Sequence, residues 1–281
     1  VAGVLKLASR IGVPVTPAGG ASGVQGAANA TRGGILLSLL DMKEVRRLDR
    51  TSLTCTVESG MIVKPFEDGL NREGLSFTHY PASAEWASIG GCVAARGSGV
   101  LSTKYGTIQD HILSLEVVLP GGDVVDLPVV PRHAVGPDLT QLFAGSEGTL
   151  GVITAVTVRL RRVPLRRAFC AFRFETLTQG IESGRQIMTS GLRPAVMRLY
   201  DKEAAVHSLE RAVRAGLVGE TMLIMVDGDH PNLVDAEMSA CRAICAAQGG
   251  LELNPGIGEA WWSNRYSFYH PPHAPQLPQI W

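Results

Sequence analysis

The sequence predicts an α+β protein in two parts, and three observations predict it. Apolar runs of strand length alternate with glycine-rich loops through residues 1–163, the pattern changes at Pro164, and beyond that proline strand and helix periodicities succeed one another regularly. In chain order, Val1 to Ala8 reads as a helix rather than a signal peptide. The short apolar run Ile11 to Val15 then delivers a glycine loop, Pro17-Ala18-Gly19-Gly20-Ala21-Ser22-Gly23, and Ala27 to Gly34 continues as loop. Asp41 reads as a helix cap. Leu53 to Glu58 and Ile112 to Leu119 have strand composition, and Pro120-Gly121-Gly122-Asp123 turns the latter into Val124 to Leu127. Between them, the small-residue segment Pro81 to Gly91 leads into a helix start at Cys92-Val93-Ala94-Ala95, followed by Arg96-Gly97-Ser98-Gly99. Ser146 to Ile153 enters an alternating strand, Val152 to Leu160.

After Pro164 the expected order is strand Ala168–Phe174, helix Leu177–Thr189, strand Ala195–Leu199, helix Lys202–Ala215, strand Thr221–Val226 and helix Asn232–Gln248, closed by Gly249-Gly250. Two β-α-β units in succession imply a ferredoxin-like arrangement. The domains expected are therefore residues 1–163 and 164–281.

The glycine loop carries the chemistry. A glycine cluster after a strand offers bare amides that wrap a phosphate without side chains in the way. A Walker loop needs a Gly-Lys-Ser/Thr ending, which is missing. The spacing Gly20-x-x-Gly23-x-x-Gly26 fits the dinucleotide fingerprint poorly and does not open into a long helix, although Asp41 stands about 20 residues on, where a ribose-binding acid would. In the second segment, Ser83, Ser88, Gly90 and Gly91 let a flat ring or a phosphate approach the backbone, and a helix N-terminus there favours negative charge. The start of the strand after Glu147 can present backbone groups to an adenine edge.

Four blocks taken together resemble the flavin-binding domain of the vanillyl-alcohol-oxidase (PCMH-type) superfamily, in the branch of D-lactate and glycolate dehydrogenases and alkylglycerone-phosphate synthase. They are Pro17 to Gly23; Pro81-Ala82-Ser83-Ala84-Glu85-Trp86-Ala87-Ser88-Ile89-Gly90-Gly91; Arg96 to Gly99 with Tyr105-Gly106-x-Ile108-x-Asp110; and Gly136-Pro137-Asp138-Leu139 leading to Ser146 to Ile153. The resemblance implies an FAD-binding PCMH-type domain followed by a ferredoxin-like cap, and an enzyme using FAD. It carries cofactor-binding roles to Pro17, Ala18, Gly19, Gly20, Ala21, Ser22, Gly23, Pro81, Ser83, Ser88, Gly90, Gly91, Ala94, Ala95, Arg96, Gly97, Glu147, Gly148, Thr149, Gly151, Val152 and Ile153. Covalent members attach flavin through a histidine in the glycine loop. Ala21 stands at that position, so noncovalent FAD is expected, and Cys92 sits in a small apolar run that marks it as buried. The candidate catalytic residue is Arg198, which alternation places on one strand face with Val196 and opposite Ala195, Met197 and Leu199. Arg198-Leu199-x-Asp201 is similar to a synthase segment that places arginine beside the flavin, where a guanidinium can hold a carboxylate or phosphate. The implied activity is oxidation of a small hydroxylated substrate or synthase chemistry on acyl-dihydroxyacetone phosphate; a noncatalytic FAD-binding subunit remains the alternative.

Composition agrees. Of 281 residues 45% are hydrophobic, and 26 basic residues balance 26 acidic ones, so nothing invites nucleic acid. No run approaches the roughly 18 to 20 apolar residues of a membrane span. The five cysteines lack metal spacing and imply a reducing, cytoplasmic setting, with Cys241 and Cys245 on one helix face. His270-x-x-His273 has ligand-like spacing, but its prolines forbid the helix that would aim both rings at one metal, so no metal is expected. His79 and Tyr80 precede the second block as packing residues, and Trp261, Trp262 and Tyr266 read as core. Both ends read as cut, with the catalytic tyrosine and histidine side chains of the family falling after the cap. The partners expected are a small-molecule substrate and a separate electron acceptor, with a homodimer left open.

Overall fold

The computed structural model describes residues 1–132, 134–209 and 219–266. They divide into two compact units: Val1–Gly99 with Gly106–Arg162, and Val100–Tyr105 with residues 163–266.

In the first unit, helix α1 (Ala2–Ile11) ends at Gly12, whose left-handed φ of 71° turns the chain into β1 (Val15–Ala18). Strand β1 pairs in parallel with β2 (Ile35–Ser38), matching Pro17 to Leu37 and Ala18 to Ser38. Asp41 lies in a turn and caps no helix, because the chain after β2 leads straight to another strand, β3 (Val45–Asp49). β4 (Thr54–Glu58) follows, then α2 (Val63–Arg72), which buries Val63, Phe66 and Leu70, and the short β5 (Leu75–Ser76). Helix α3 spans Ile89–Ala94, α4 Ser102–Tyr105 and α5 Ile108–His111. They lead to β6 (Ile112–Val118), β7 (Val124–Asp126), α6 (Leu139–Phe143), β8 (Val152–Arg159) and β9 (Arg161–Arg162).

Five of these strands form one antiparallel sheet in the order β3-β4-β8-β6-β7. The alternation read in β8 does not become alternate exposure, since Val152 to Val158 are all buried. The strand is central, and its threonines are satisfied internally: Thr154 donates to Glu116 Oε1 at 2.6 Å, and the hydroxyls of Thr56 and Thr157 meet at 2.9 Å. Glu116 is in turn bound by Arg46, which also reaches Glu58.

The second unit holds β10 (Arg166–Phe174), α7 (Leu177–Thr189), β11 (Val196–Tyr200), α8 (Lys202–Ser208), β12 (Glu220–Gly228), α9 (Pro231–Ala247), β13 (Leu251–Leu253) and α10 (Gly256–Ser263). Its sheet runs β11-β12-β10-β13 with every neighbour antiparallel, so β10 and β11 point the same way with β12 inserted between them. This is the split β-α-β of a ferredoxin-like fold. The expected helix Leu177–Thr189 is found, opened by a capping box in which Thr176 and Gln179 bind each other's backbone. Gly249, at φ 81°, closes α9. The stretch expected as helix beyond Leu209, and the tail with His270 and His273, lie outside the described residues.

One face of this sheet packs Cys170, Phe172, Phe174, Met222, Ile224 and Val226 against Ile187 of α7 and Val234, Met238, Cys241 and Cys245 of α9. Each large side chain so buried contributes about 1.5–3 kcal/mol. The opposite face carries Ala171, Leu223 and Tyr200, covered by Ala205, Leu209, Ile257 and Trp261. All five cysteines are free and buried. Among the described residues no helix is long and apolar enough to cross a membrane, and no group of His, Cys, Asp and Glu is placed to hold a metal ion.

Candidate functional site

The sequence blocks separated along the first unit meet around α3. β1 ends at Ala18 and hands the chain to Gly19 and Gly20. A Cβ on Gly19 would lie 2.0 Å from Ser88 Oγ, and one on Gly20 would lie 1.7 Å from the Trp86 carbonyl oxygen. The first and second blocks are thus in backbone contact, reinforced by the Gly20 amide donating to Ser88 Oγ at 3.3 Å and the Ser22 hydroxyl donating to Ser83 Oγ at 3.4 Å. The last block closes on the other two: Gly145 N donates to Val93 O and Glu147 N to Ala94 O, both at 3.0 Å, while Gly148 packs on the Pro17 ring. Arg96 lies beside Gly145 and donates from Nη2 to the Gln141 carbonyl at 2.8 Å.

The second block folds differently from expectation. The helix begins at Ile89 under the N-cap Ser88, three residues before Cys92, so Gly90 and Gly91 lie inside its first turn. Nor does that turn offer free donors. Ile89 N donates to Met61 O, Gly90 N to Ser59 O, Gly91 N to Ser88 Oγ and Cys92 N to Ser88 O. Gly90 is glycine because Ser59 Cβ would stand 2.4 Å from its side chain. The free donors are in the first block: among the described residues the amides of Ala21, Ser22 and Gly23 meet no protein acceptor. Ala21 has a left-handed φ of 48°, and a left-handed residue in a run of free amides is the backbone form that gathers N–H groups around an anion. Beside Gly23 there is open space.

Left-handed backbone recurs at Arg96 (φ 50°) and Glu147 (φ 49°). Non-glycine residues adopt it at a cost of about 1–3 kcal/mol and cluster at ligand clamps. Between Gly145 and Glu147, the Ser146 hydroxyl is buried without a partner. Thr149 is turned inward on its own loop, its hydroxyl donating to Ser146 O at 2.6 Å. Six nominated residues are taken up by the framework. Val152 and Ile153 are buried and pair with Val118 and Val117, and Gly151 lies against Val117 and Val118. Gly97 N is committed to Cys92 O, and Ala95 is the C-cap of α3. Pro81 accepts from Ala84 N through its carbonyl.

Behind the second block lies a polar core that sequence reading treated as packing. Glu67 of α2 is buried and accepts from Ser76 Oγ (2.6 Å), Phe77 N (2.7 Å) and Tyr80 Oη (2.5 Å). Thr78 sits at φ 56°, and both ring nitrogens of His79 are buried without hydrogen-bond partners. His79 and His111 rings lie 6.0 Å apart, each edge-on to Phe77. Burial pushes His79 down to about 3, helped by His111, and burial with nearby Arg161 pushes His111 down to about 4. Burial likewise raises the Cys92 thiol to about 12, which leaves it without the thiolate that attacks a flavin. No local pattern marks Glu67 as special; only the fold brings Ser76 and Tyr80 to it.

Arg198 belongs to the second unit. It is exposed on β11, on the face shared with Tyr200 and opposite Leu223. Its guanidinium lies 5.3 Å from the Tyr200 ring and 5.9 Å from Trp261, whose indole donates to Tyr200 Oη at 2.8 Å. It has no carboxylate partner among the described residues. Trp262 and Tyr266 differ from the expected core packing: they are half-buried at the end of α10 and flank the Arg265 guanidinium at 3.9 and 4.6 Å.

Two family models match the chain. The model described as FAD binding domain matches residues 1–128, and that described as FAD linked oxidases, C-terminal domain, matches residues 163–271. The chain is 38% identical over 203 residues to the mitochondrial D-lactate dehydrogenase [cytochrome] of Arabidopsis thaliana, covering 72% of this chain and 35% of that protein. It is 33% identical over 196 residues to the alkyldihydroxyacetonephosphate synthase of Caenorhabditis elegans, covering 68% and 33%. A solved structure of an alkyldihydroxyacetonephosphate synthase superposes with a TM-score of 0.83 at 26% identity, over 95% of this chain and 52% of that one. The chain thus spans about a third of the length of these two curated relatives. With its blocks gathered around one short helix and both domain models matched in order, the chain belongs to the family of FAD-linked oxidases.

Proposed function

We propose that the protein is an FAD-dependent oxidoreductase acting on a small hydroxy acid, with FAD held noncovalently in the first unit. The observation that carries this reading is the loop Ala21-Ser22-Gly23, whose amides meet no acceptor among the described residues and which leaves open space beside Gly23. Those amides are assigned to the FAD diphosphate, with the Ser22 and Ser83 hydroxyls beside it. Pro17, Ala18, Gly19 and Gly20 hold that loop against Ser88, Gly90 and Gly91. The Glu147-Gly148 turn with Thr149 is assigned to the adenosine end, and the left-handed Arg96 closes the site next to Ala94, Ala95 and Gly97. Bound FAD supplies the two-electron acceptor. Arg198 holds the substrate anion: an exposed guanidinium without a carboxylate partner is suited to bind a carboxylate or phosphate bidentately.

A second reading is favoured by that same arginine. Its Arg198-Leu199-x-Asp201 setting supports synthase chemistry on acyl-dihydroxyacetone phosphate, in which Arg198 binds the phosphate. The experiment that separates them is the visible spectrum of the full-length protein before and after anaerobic addition of D-lactate, glycolate or acyl-dihydroxyacetone phosphate. Bleaching by a hydroxy acid supports the oxidoreductase, and ether-lipid formation without bleaching by either acid supports the synthase. A flavin band inert to all three leaves an FAD-binding subunit, and no flavin band overturns the proposal. Acid precipitation is expected to release all of the flavin into the supernatant.

A further inference from the structure

Arg198 stands on β11, the edge strand of the second unit's sheet. Around it the same face of β11 and β12 carries Val196, Tyr200, Thr221, Leu223 and Met225, none of them charged. Asp201, the acid nearest in sequence, is engaged elsewhere: its Oδ1 accepts from Ala204 N at 2.7 Å as the N-cap of α8. What meets the guanidinium is aromatic. Its central carbon lies 5.3 Å from the centre of the Tyr200 ring and 5.9 Å from that of Trp261, both within reach of a cation–π attraction. The two rings are in turn tied to each other. The Trp261 indole donates to Tyr200 Oη at 2.8 Å, and Ile257 and Trp261, four residues apart on α10, pack with the buried Tyr200, Leu223 and Ala171. A long side chain on an exposed strand samples many rotamers, and ordering it on binding costs affinity. A fixed pair of rings beside the guanidinium removes part of that cost, and it does so without an acid that would compete with an incoming anion.

We propose that Trp261 is a positioning residue for Arg198: tied to Tyr200, it completes a pair of rings that keeps the guanidinium ready for the anionic group of the substrate. The inference rests on the reading of Arg198 as the residue that holds that anion. It gives the segment Arg198-Leu199-x-Asp201 two separate tasks, anion binding at its first residue and helix capping at its last.

The test uses the full-length protein and two anions titrated by calorimetry, oxalate standing for a carboxylate and inorganic phosphate for a phosphate ester. For the anion that the wild type binds, Trp261→Leu is expected to raise the dissociation constant about fivefold. Trp261→Phe, which keeps a ring but loses the donor, and Tyr200→Phe, which keeps a ring but loses the acceptor, should show smaller rises. Arg198→Ala should abolish binding, and guanidinium ion added at low concentration should restore it by settling against the rings; in Arg198→Ala/Trp261→Leu that rescue should be lost. A purely structural Trp261 would not move the rescue. In urea unfolding, the effects of Arg198→Ala and Trp261→Leu should depart from additivity by about threefold in the equilibrium constant. Anion binding by folded Trp261→Leu within about twofold of wild type overturns the proposal, and so does equal rescue of the single and double variants. Wild-type protein that binds neither anion, or Arg198→Ala that binds as the wild type does, overturns the anion-binding reading of Arg198 instead. The unfolding measurements then still decide whether Trp261 holds the guanidinium, since additive effects mean that it does not.

Discussion

The two units differ in how much backbone strain they carry. The second is built on a sheet whose two faces are both apolar, with Phe172, Met222 and Ile224 on one and Ala171, Leu223 and Tyr200 on the other. Among the described residues it contains no non-glycine residue with positive φ. All six such residues, Ala21, Leu53, Thr78, Arg96, Arg132 and Glu147, lie in the first unit, which also holds the unpaired amides of the glycine loop and the orphaned Ser146 and His79 groups. Strain and unmet hydrogen bonds cost free energy. The left-handed residues mark the first unit as the one shaped for a ligand, although buried polar atoms without partners occur in the second as well, at Arg167 Nε and Glu220 Oε2.

The comparison predicts that binding and stability respond to different substitutions. The largest effect is expected from Gly20→Ala, whose Cβ would collide with the Trp86 carbonyl and drive the first two blocks apart; FAD affinity measured by fluorescence titration should fall about 100-fold or more. Retention of wild-type affinity would break the idea that contact between these blocks forms the site. Phe172→Ala, at 1% exposure in the second unit, is expected to cost about 3–5 kcal/mol in urea unfolding, while FAD affinity in the folded protein stays near wild type.

Acid sharpens the same contrast. His79 and His111 are held neutral with folded values of about 3 and 4, below the ordinary 6.5, so the unfolded chain takes up protons first. Stability is complete above about pH 6.5 and falls as pH drops toward the folded values, by about 2 kcal/mol per imidazole at pH 5. Urea midpoints of the wild type and of His79→Gln/His111→Gln between pH 7 and 5 check this: the variant should show the shallower decline. The smallest effect is expected in the second unit, where Thr176→Ala removes the capping box of α7 and should lower stability by about 1 kcal/mol in the same assay.

Much of this was legible in the residues, because glycine and small side chains at Pro17–Gly23, Pro81–Gly91 and Ser146–Gly151 are local signals. Helix α7 was readable from the periodic pattern after Pro164, and the structure adds the capping box of Thr176 and Gln179 that opens it. Other features depended on contacts that no local pattern contains. The start of α3 was read late because Ile89-Gly90-Gly91 has low helix propensity, which burial against Ser59 overrides. β8 looked half-exposed until neighbours on both sides made it central. The free amides proved to be in the glycine loop and not at the helix, since Met61, Ser59 and Ser88 had taken the helix donors. Glu67 gave no sign of being buried, as its three donors come from a segment that only folding delivers.

The burial of all five thiols has a practical side. Burial raises Cys55, Cys92, Cys241 and Cys245 to about 12, and Cys170 is raised as well. The native chain is therefore a silent background for maleimide chemistry, and a cysteine introduced at Val24, 76% exposed just past the glycine loop, gives a single attachment point for a dye that reports the arrival of the cofactor.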